Sequence, residues 1–347
     1  MNTRSKIINT FVLFSAISIS ITATQNTSLY FNNKRFYNYE GENTQIHRLD
    51  CLKIFFKSRL SFTPSPKKET LELWKATPSI KETEEKPTIT WIGHATFLIQ
   101  MKHINIITDP TFYDLSLFHN RISKPGISPK DLPKIHVILI SHNHRDHLDE
   151  KSLKELVHDN PTVLVPKGDA PLLKKIGFND VHEFLWWESK KHKLSSSKSI
   201  SFSFLPAKHW SSRGLMDLNM SAWGSWMIGS KEHHIYFAGD SAYNTSHYKS
   251  IAERYPSIDV ALMPIAPNSP QSNNKTTHMS AEESIKAFQD LKAKTFIPMH
   301  WGTYPLGTDR FEEPIMLLQH WWKEQELALQ KNHLSILRFG ETYKENA

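Results

Sequence analysis

Four potential metal ligands fall within six residues of this chain: His142, His144, Asp146 and His147, in the stretch Ser141-His142-Asn143-His144-Arg145-Asp146-His147. Neutral imidazole and carboxylate together suit a borderline divalent cation such as zinc. Ligands two residues apart cannot fan out on one helix face, but they can converge from a loop. The stretch directly follows the apolar run at 135–140, so it predicts a strand-end loop wrapped around metal. Four ligands are more than one open catalytic site draws from one loop, which points to two metals. The competing reading, a polar surface turn, requires four coincidences of residue type.

The remaining ligands must come from other elements, and three apolar runs end on suitable residues. Strand 200–205 leads to Pro206-Ala207-Lys208-His209. Strand 234–238 leads to Gly239-Asp240, and strand 295–299 leads to His300-Trp301-Gly302. Ligands gathered at the carboxyl ends of strands are how open α/β sheets build sites. Alone, His209 and His300 read as satisfied core histidines and Asp240 as a turn residue; beside the 142–147 loop they read as ligands. The candidate set is His142, His144, Asp146, His147, His209, Asp240 and His300. Two cations about 4 Å apart can share these ligands and activate a water as nucleophile at neutral pH.

Further strands are expected at 89–92, 96–99, 104–108, 162–165, 223–228 and 259–263, with turns at Gly93 and His103. Ser280 with Glu283 forms a capping box for a helix whose face carries Ile285, Phe288 and Leu291. Pro314 opens a second helix with Leu317, Leu318, Trp321 and Trp322 on its apolar side. Strands interleaved with helices indicate an α/β or layered α/β architecture.

Composition bounds the rest. The chain has 347 residues, 39% hydrophobic and 22% charged, enough for one large globular body. Lys and Arg outnumber Asp and Glu by 42 to 35, and 13 against 8 of these lie in residues 1–87, so +5 of the +7 charge sits there. Such a basic arm suits an anionic surface. A single cysteine, Cys51, excludes an intramolecular disulfide and a thiolate zinc site. Residues 1–24 carry Arg4 and Lys6 before a mostly apolar stretch, which resembles a secretory signal or short anchor. Export or membrane association is therefore expected; a cytoplasmic protein peripheral to membrane is the alternative. Residues 25–87 read as a basic, aromatic arm and linker, with a short basic amphipathic helix at 51–60 and a proline-rich strap at 64–87. Residues 88–347 form the catalytic domain.

The ligand pattern, with Trp91-Ile92-Gly93-His94-Ala95-Thr96, Thr108-Asp109-Pro110, Pro206-Ala207-Lys208-His209-Trp210, Trp223-Gly224-Ser225-Trp226, Phe237-Ala238-Gly239-Asp240 and His300-Trp301-Gly302-Thr303, resembles the metallo-β-lactamase superfamily. Within it, the chain looks most like the N-acylphosphatidylethanolamine-hydrolysing phospholipases D, over roughly residues 30–345. The resemblance implies a four-layer αββα sandwich holding two zinc ions, with manganese or iron as other options. It implies that His142, His144 and His209 bind the first metal, that Asp146, His147 and His300 bind the second, and that Asp240 bridges. His278 matches a family histidine near the substrate phosphate. One departure stands out: the family's Arg and Trp after the strand at 259–263 are absent from 266–277, where Lys275 supplies charge but no bidentate grip.

These implications give a phosphodiester hydrolase that releases N-acylethanolamine and leaves phosphatidic acid. Asp146 orients the nucleophile and holds its proton, and His278 donates a hydrogen bond to the phosphate or leaving oxygen. The partners expected are a phospholipid substrate and an anionic membrane surface, with a homodimer left open. Trp186 and Trp187 are candidates for a greasy, membrane-facing opening, against the commoner reading as core. The alternative function is a soluble metallohydrolase of a small ester or lactone, similar to ascorbate-6-phosphate lactonases. Nucleic acid is a poor substrate, since residues 88–347 carry only +2.

Overall fold

Two seven-stranded sheets face each other, each built from an antiparallel half and a parallel half. The computed structural model describes residues 30–38, 65–80, 86–116, 119–193, 199–214, 216–269 and 276–344. The first sheet contains β3 (Thr88–Gly93), β4 (Thr96–Met101), β5 (Ile104–Thr108), β6 (Val137–Leu139), β7 (Thr162–Pro166), β8 (Asp180–Phe184) and the terminal β16 (Thr342–Lys344), in the order β16-β3-β4-β5-β6-β7-β8. Its meander β3–β4–β5 is antiparallel, and β5 to β8 run parallel. The second sheet contains β9 (Ser189–Lys193), β10 (Ser199–Leu205), β11 (Ser225–Gly229), β12 (His234–Phe237), β13 (Val260–Pro264), β14 (Thr295–Met299) and β15 (His333–Leu334), in the order β15-β14-β13-β12-β11-β10-β9. Here β9 to β12 are antiparallel and β12 to β15 parallel.

Side-chain alternation along the strands divides the core into layers. In β4, Phe97 and Ile99 join the large core with Phe204, Trp226 and Phe237 of the second sheet. Leu98 between them faces the other way, into a core shared with Leu153 and Leu173. Those leucines belong to α2 (Glu150–Lys154) and α3 (Ala170–Ile176), which cover the outer face of the first sheet. The second sheet is covered by α4 (Thr245–Arg254), α5 (Ala281–Leu291) and α6 (Glu313–Glu324), with Ile285, Phe288 and Leu318 buried. The result is the expected αββα sandwich. The capping box at Ser280 and Glu283 is present with both of its hydrogen bonds.

Residues 65–80 contain α1 (Lys68–Leu73) and lie against the sandwich. The Trp74 ring meets Trp301 edge-on at 4.8 Å, and Ala76 N–H donates to the Phe339 carbonyl. A two-stranded hairpin, β1 (Tyr30–Asn32) and β2 (Arg35–Tyr37), docks on the 211–220 loop through Phe36 N–H to the Asn219 carbonyl at 2.8 Å. A four-residue helix, α7 (Glu326–Leu329), follows α6. The expected leader at 1–24, the helix at 51–60 and Lys275 lie outside the described residues. Among the described residues, no helix is long and apolar enough to cross a membrane.

Of the two tryptophans considered for a membrane-facing opening, Trp186 is a core residue and Trp187 is half-buried at the edge of the core. Trp186 is 6% exposed, and its indole N–H donates to the Trp223 carbonyl at 2.6 Å. Trp187 packs against the same core, with the Arg254 guanidinium 5.3 Å from its ring. Burial of its large aromatic area removes Trp186 from any use at the surface.

Candidate metal centre

All seven expected ligands meet at one edge of the sandwich, where the carboxyl ends of β6, β10, β12 and β14 converge. The 142–147 loop leaves β6 and is braced from both sides. Asp109, at the end of β5, accepts from Ser141 N–H at 2.8 Å and Ser141 O–H at 2.6 Å. The Arg213 guanidinium donates to the Asn143 carbonyl at 3.0 Å and the Leu148 carbonyl at 2.7 Å, and pairs with Glu150 at 2.8 Å. It therefore ties the loop's two ends together.

The hydrogen bonds fix which ring nitrogen of each histidine faces inward. His147 Nδ1 donates to Asp109 at 2.7 Å, His209 Nδ1 to the Thr277 carbonyl at 2.7 Å, and His300 Nδ1 to the Ala266 carbonyl at 3.0 Å. These acceptors assign the proton to Nδ1 and leave an Nε2 lone pair directed into the site. His142 is set similarly, its Nδ1 lying 2.9 Å from the Ser141 hydroxyl. His142 Nε2 and His209 Nε2 then stand 2.8 Å and 3.2 Å from His144 Nδ1.

Two four-residue groups result, each with ligand atoms within 4.8 Å of one another: His142, His144, His209 and Asp240, and His94, Asp146, His147 and His300. Asp240 reaches both. Its carboxylate lies 3.0 Å from His300, 3.3 Å from His147, 3.8 Å from His209 and 3.9 Å from His142. His278 stands at the rim, its Nδ1 3.6 Å from Asp240, and its side chain keeps 20% exposure.

A cation fits this arrangement. His147 Nε2, His300 Nε2, Asp240 Oδ1 and His278 Nδ1 are buried and make no hydrogen bond, although the His300 and Asp240 atoms are only 3.0 Å apart. Buried polar atoms without partners are costly. Atoms this close that do not point at each other are arranged as ligands of a common ion. Burial holds His94 down to about 3, and His144 and His278 down to about 4; it holds His142 and His209 well below the ordinary imidazole range. Neutral imidazole is the form that binds metal. Burial also opposes charge on Asp146 and Asp240, but the imidazoles around them, His147 foremost, hold both carboxyls well below their usual range. His147 is the exception among the histidines. Burial lowers it, but Asp240, Asp146 and Asp109 outweigh burial and raise it well above its ordinary value. A proton on His147 thus stands between carboxylates where a metal cation would neutralise them.

Two residues of the site were not among the expected ligands. His94 is fully buried, bonds Asp146 through Nε2 at 3.1 Å, and lies with its ring 4.0 Å from that of His300. Asp109 is the acceptor that orients His147, and burial raises its carboxyl against the pull of His147 and Ser141. Both follow apolar strands, as His300 does. His94, Asp109 and His300 have φ of +54°, +33° and +64°. Such strain at non-glycine residues concentrates where surrounding structure fixes a functional side chain. Gly239, φ +58°, answers a different need: a Cβ there would lie 2.5 Å from Ser141 Cβ. The glycine lets Asp240 approach the 142–147 loop.

The N-terminal hairpin also reaches the centre. Asn38, directly after it, donates to the His209 carbonyl at 3.2 Å and accepts from His209 N–H at 3.1 Å. It also accepts from the Trp223 indole at 3.2 Å.

Known proteins share this architecture. A family described as "Beta-lactamase superfamily domain" matches residues 104–301. A Caenorhabditis elegans protein named N-acyl-phosphatidylethanolamine-hydrolyzing phospholipase D 1 is 31% identical over 304 residues, covering 83% of this chain and 84% of its own. A mitochondrial Saccharomyces cerevisiae protein of the same name is 34% identical over 242 residues, 67% of this chain; the match spans about half, 52%, of the yeast protein. Among solved structures, a possible metal-dependent hydrolase from Veillonella parvula aligns with TM-score 0.59 at 16% identity, covering 75% of this chain and all of its own. CmlA, a diiron β-hydroxylase from Streptomyces venezuelae, aligns with TM-score 0.56 at 19% identity, over 76% of this chain and 55% of its own. At such identities the structures speak to fold alone, and a hydrolase and a hydroxylase share it. The fold, the family match and the extent of the nematode relative together place this chain in the metallo-β-lactamase superfamily, among its metal-dependent hydrolases.

Proposed function

We propose that the protein is a zinc-dependent phosphodiester hydrolase of the phospholipase D type, acting on N-acylphosphatidylethanolamine. The observation that carries the hydrolase reading is Asp240, one carboxylate within 4 Å of imidazoles from both ligand groups. The substrate reading is supported by the names of the nematode and yeast relatives. An imidazole-rich set with two carboxylates suits zinc; manganese and iron are the alternatives.

His142, His144 and His209 would hold one metal, Asp146, His147 and His300 the other, with Asp240 between. When bound, the pair would supply charge neutralisation at the phosphate and a water of lowered pKa. The protein's own groups do the rest. Asp109, Thr277 and Ala266 keep the ring tautomers fixed through the reaction. Asp146, bonded to His94, is placed to take the proton of the attacking water. The new bond is water oxygen to phosphorus, and the bond that breaks joins phosphorus to the ethanolamine oxygen. The leaving oxygen takes a proton, giving N-acylethanolamine and phosphatidic acid with one water consumed. His278, neutral and at the rim, offers a ring N–H to the phosphate or the leaving oxygen.

The altered 266–277 segment favours one second reading, a small ester or lactone as substrate. Metal-replete protein incubated with N-acylphosphatidylethanolamine in mixed micelles, beside generic phosphodiesters and lactones, separates the two. Release of fatty acid ethanolamide supports the first reading. Turnover of lactone alone would replace it.

A further inference from the structure

We infer that the β1–β2 hairpin and the 211–220 loop together form a surface that docks on an anionic bilayer, next to the mouth of the metal centre. The inference rests on the phospholipid reading above and names where that substrate would be met. Its basis is a set of large apolar side chains left in solvent. Phe31 is 58% exposed, Met216 70% and Met220 46%. Isolated exposed apolar residues need no explanation, but a grouping on one face does.

The segments that carry these three are joined by specific bonds. Phe31 packs on Phe36 at 4.7 Å, and Phe36 N–H donates to the Asn219 carbonyl, next to Met220. The Arg35 guanidinium donates to the Leu218 carbonyl. Asn219 N–H donates to the Ser211 carbonyl at 2.7 Å, and Met220 N–H to the Asp217 carbonyl at 3.0 Å, so the loop that carries both methionines is closed on itself. That loop begins two residues after His209. It is also joined to the 142–147 loop, since Arg145 donates to the Arg213 carbonyl at 3.2 Å.

Charge selects the occupant. Lys34 is exposed on the hairpin, and Arg145 is exposed on the adjoining 142–147 loop. Among the described residues of these segments the cations Lys34, Arg35, Arg145 and Arg213 outnumber the acids: Glu150 pairs with Arg213, and Asp217 keeps its charge while accepting from Ser212 and from the Arg213 and Gly214 main chain. Apolar side chains among unneutralised cations match the interface of an anionic lipid layer, where the chains enter the acyl boundary and the cations meet headgroups. A protein partner with an apolar face would leave those cations without use.

Docking here has a structural consequence. The chain leaves the hairpin through Asn38, which grips His209 from both sides. A bilayer that orders the hairpin thereby also orders a residue of the metal centre.

The test uses the full, metal-loaded chain. A polarity-sensitive fluorophore is attached at M216C in a C51S background, and at Ser189→Cys on β9 as a reference. Addition of phosphatidylcholine–phosphatidylserine vesicles is expected to shift the first probe to the blue and leave the second unchanged. The Phe31→Ser/Met220→Ser double variant is expected to bind these vesicles at least tenfold more weakly. It should hydrolyse a water-soluble phosphodiester at the wild-type rate, which also shows that it folds. Lys34→Glu should weaken binding to the anionic vesicles only. Unchanged binding in the double variant, a silent probe at 216 on bound protein, or no vesicle binding by the wild type would each overturn the inference. Vesicle binding is read without hydrolysis. An inactive protein whose binding is lost with Phe31 and Met220 would therefore refute the proposed reaction and leave the surface standing.

Discussion

Replacing Asn38 by alanine tests whether a residue 171 positions away in sequence holds a proposed metal ligand, His209, in place. Asn38 and His209 are 3% and 2% exposed, and two hydrogen bonds join the Asn38 amide to the His209 main chain. Alanine leaves one buried N–H and one buried C=O without partners, at about 1–3 kcal/mol each. The Trp223 indole loses less, because it also donates to the Ala207 carbonyl at 3.1 Å. The expected cost is therefore about 2–6 kcal/mol. For a chain of this size that lowers Tm by roughly 4–12 °C, at about 2 °C per kcal/mol. Because His209 is a proposed ligand, metal affinity should also fall, by about 10–100-fold as for other residues that orient ligands. Asn38→Asp retains the acceptor for His209 N–H but sets a carboxylate oxygen against the carbonyl, so it should recover only part of the loss. Thermal unfolding of the metal-free protein and competition with a chromophoric chelator read the two effects separately. A Tm within about 1 °C of wild type, with unchanged metal affinity, would show that the hairpin merely lies against the centre and does not hold it.

Other perturbations have equally definite outcomes. Asp109→Asn leaves one acceptor oxygen where His147 Nδ1–H and Ser141 N–H engage two; metal affinity should fall about 10–100-fold, and titration to a stoichiometry of two at wild-type affinity would contradict the assignment. His278→Gln should lower kcat by about 10²–10⁴ while metal content stays at wild-type level; loss of metal instead would make His278 a ligand. Gly239→Ala forces φ +58° on an alanine and drives Cβ against Ser141, which should cost about 2–4 kcal/mol in chemical denaturation. The metal-free protein should lose stability in acid. Burial holds His94 and His247 down to about 3, and His144 and His278 down to about 4. Below an unfolded pKa near 6.5 the unfolded chain then binds more protons, and stability falls by up to about 1.4 kcal/mol per pH unit and group until the folded pKa is reached. His147, raised, has the opposite sign: its contribution is complete below 6.5 and is lost only as pH rises through its folded pKa. Asp169, raised to about 7, and Asp109, also raised, share that opposite sign. The depressed imidazoles, with His142 and His209 among them, outnumber these three groups, so Tm in chelator should drop between pH 6.5 and about 4; a flat or rising profile would refute this.

The residues that gather at the centre were legible in the sequence because the segments that carry them each follow an apolar run, and strand ends are where such a fold gathers its chemistry. The same rule covers two more residues. Residues 89–92 lead to Gly93-His94 and 104–108 lead to Asp109, and both residues belong to the centre. Both lie in motifs of the family resemblance, but neither was read as part of the centre, since a lone histidine or aspartate at a turn is common. Asn38 carried no signal at all, because its meaning comes from a partner 171 residues on. Strand β9, Ser-Lys-Lys-His-Lys, was invisible to a hydrophobic pattern. It is an edge strand whose alternate residues are exposed, and a lysine-rich edge discourages further pairing. The short edge strands β15 and β16 are fixed by pairing with β14 and β3, not by their own sequences. Trp186 and Trp187 had two readings in sequence; the packing of the sandwich decides for the core at Trp186 and leaves Trp187 half-buried against it.

Anomalous X-ray scattering from crystals of the purified protein, measured at the absorption edge of its bound metal, tests the central claim most directly. The account predicts two peaks about 3.5–4 Å apart. One lies about 2.0–2.1 Å from nitrogens of His142, His144 and His209, the other at a similar distance from His147 and His300 and beside Asp146, with Asp240 between them. A single peak, or peaks held by other residues, would contradict a two-metal hydrolase built on these seven ligands.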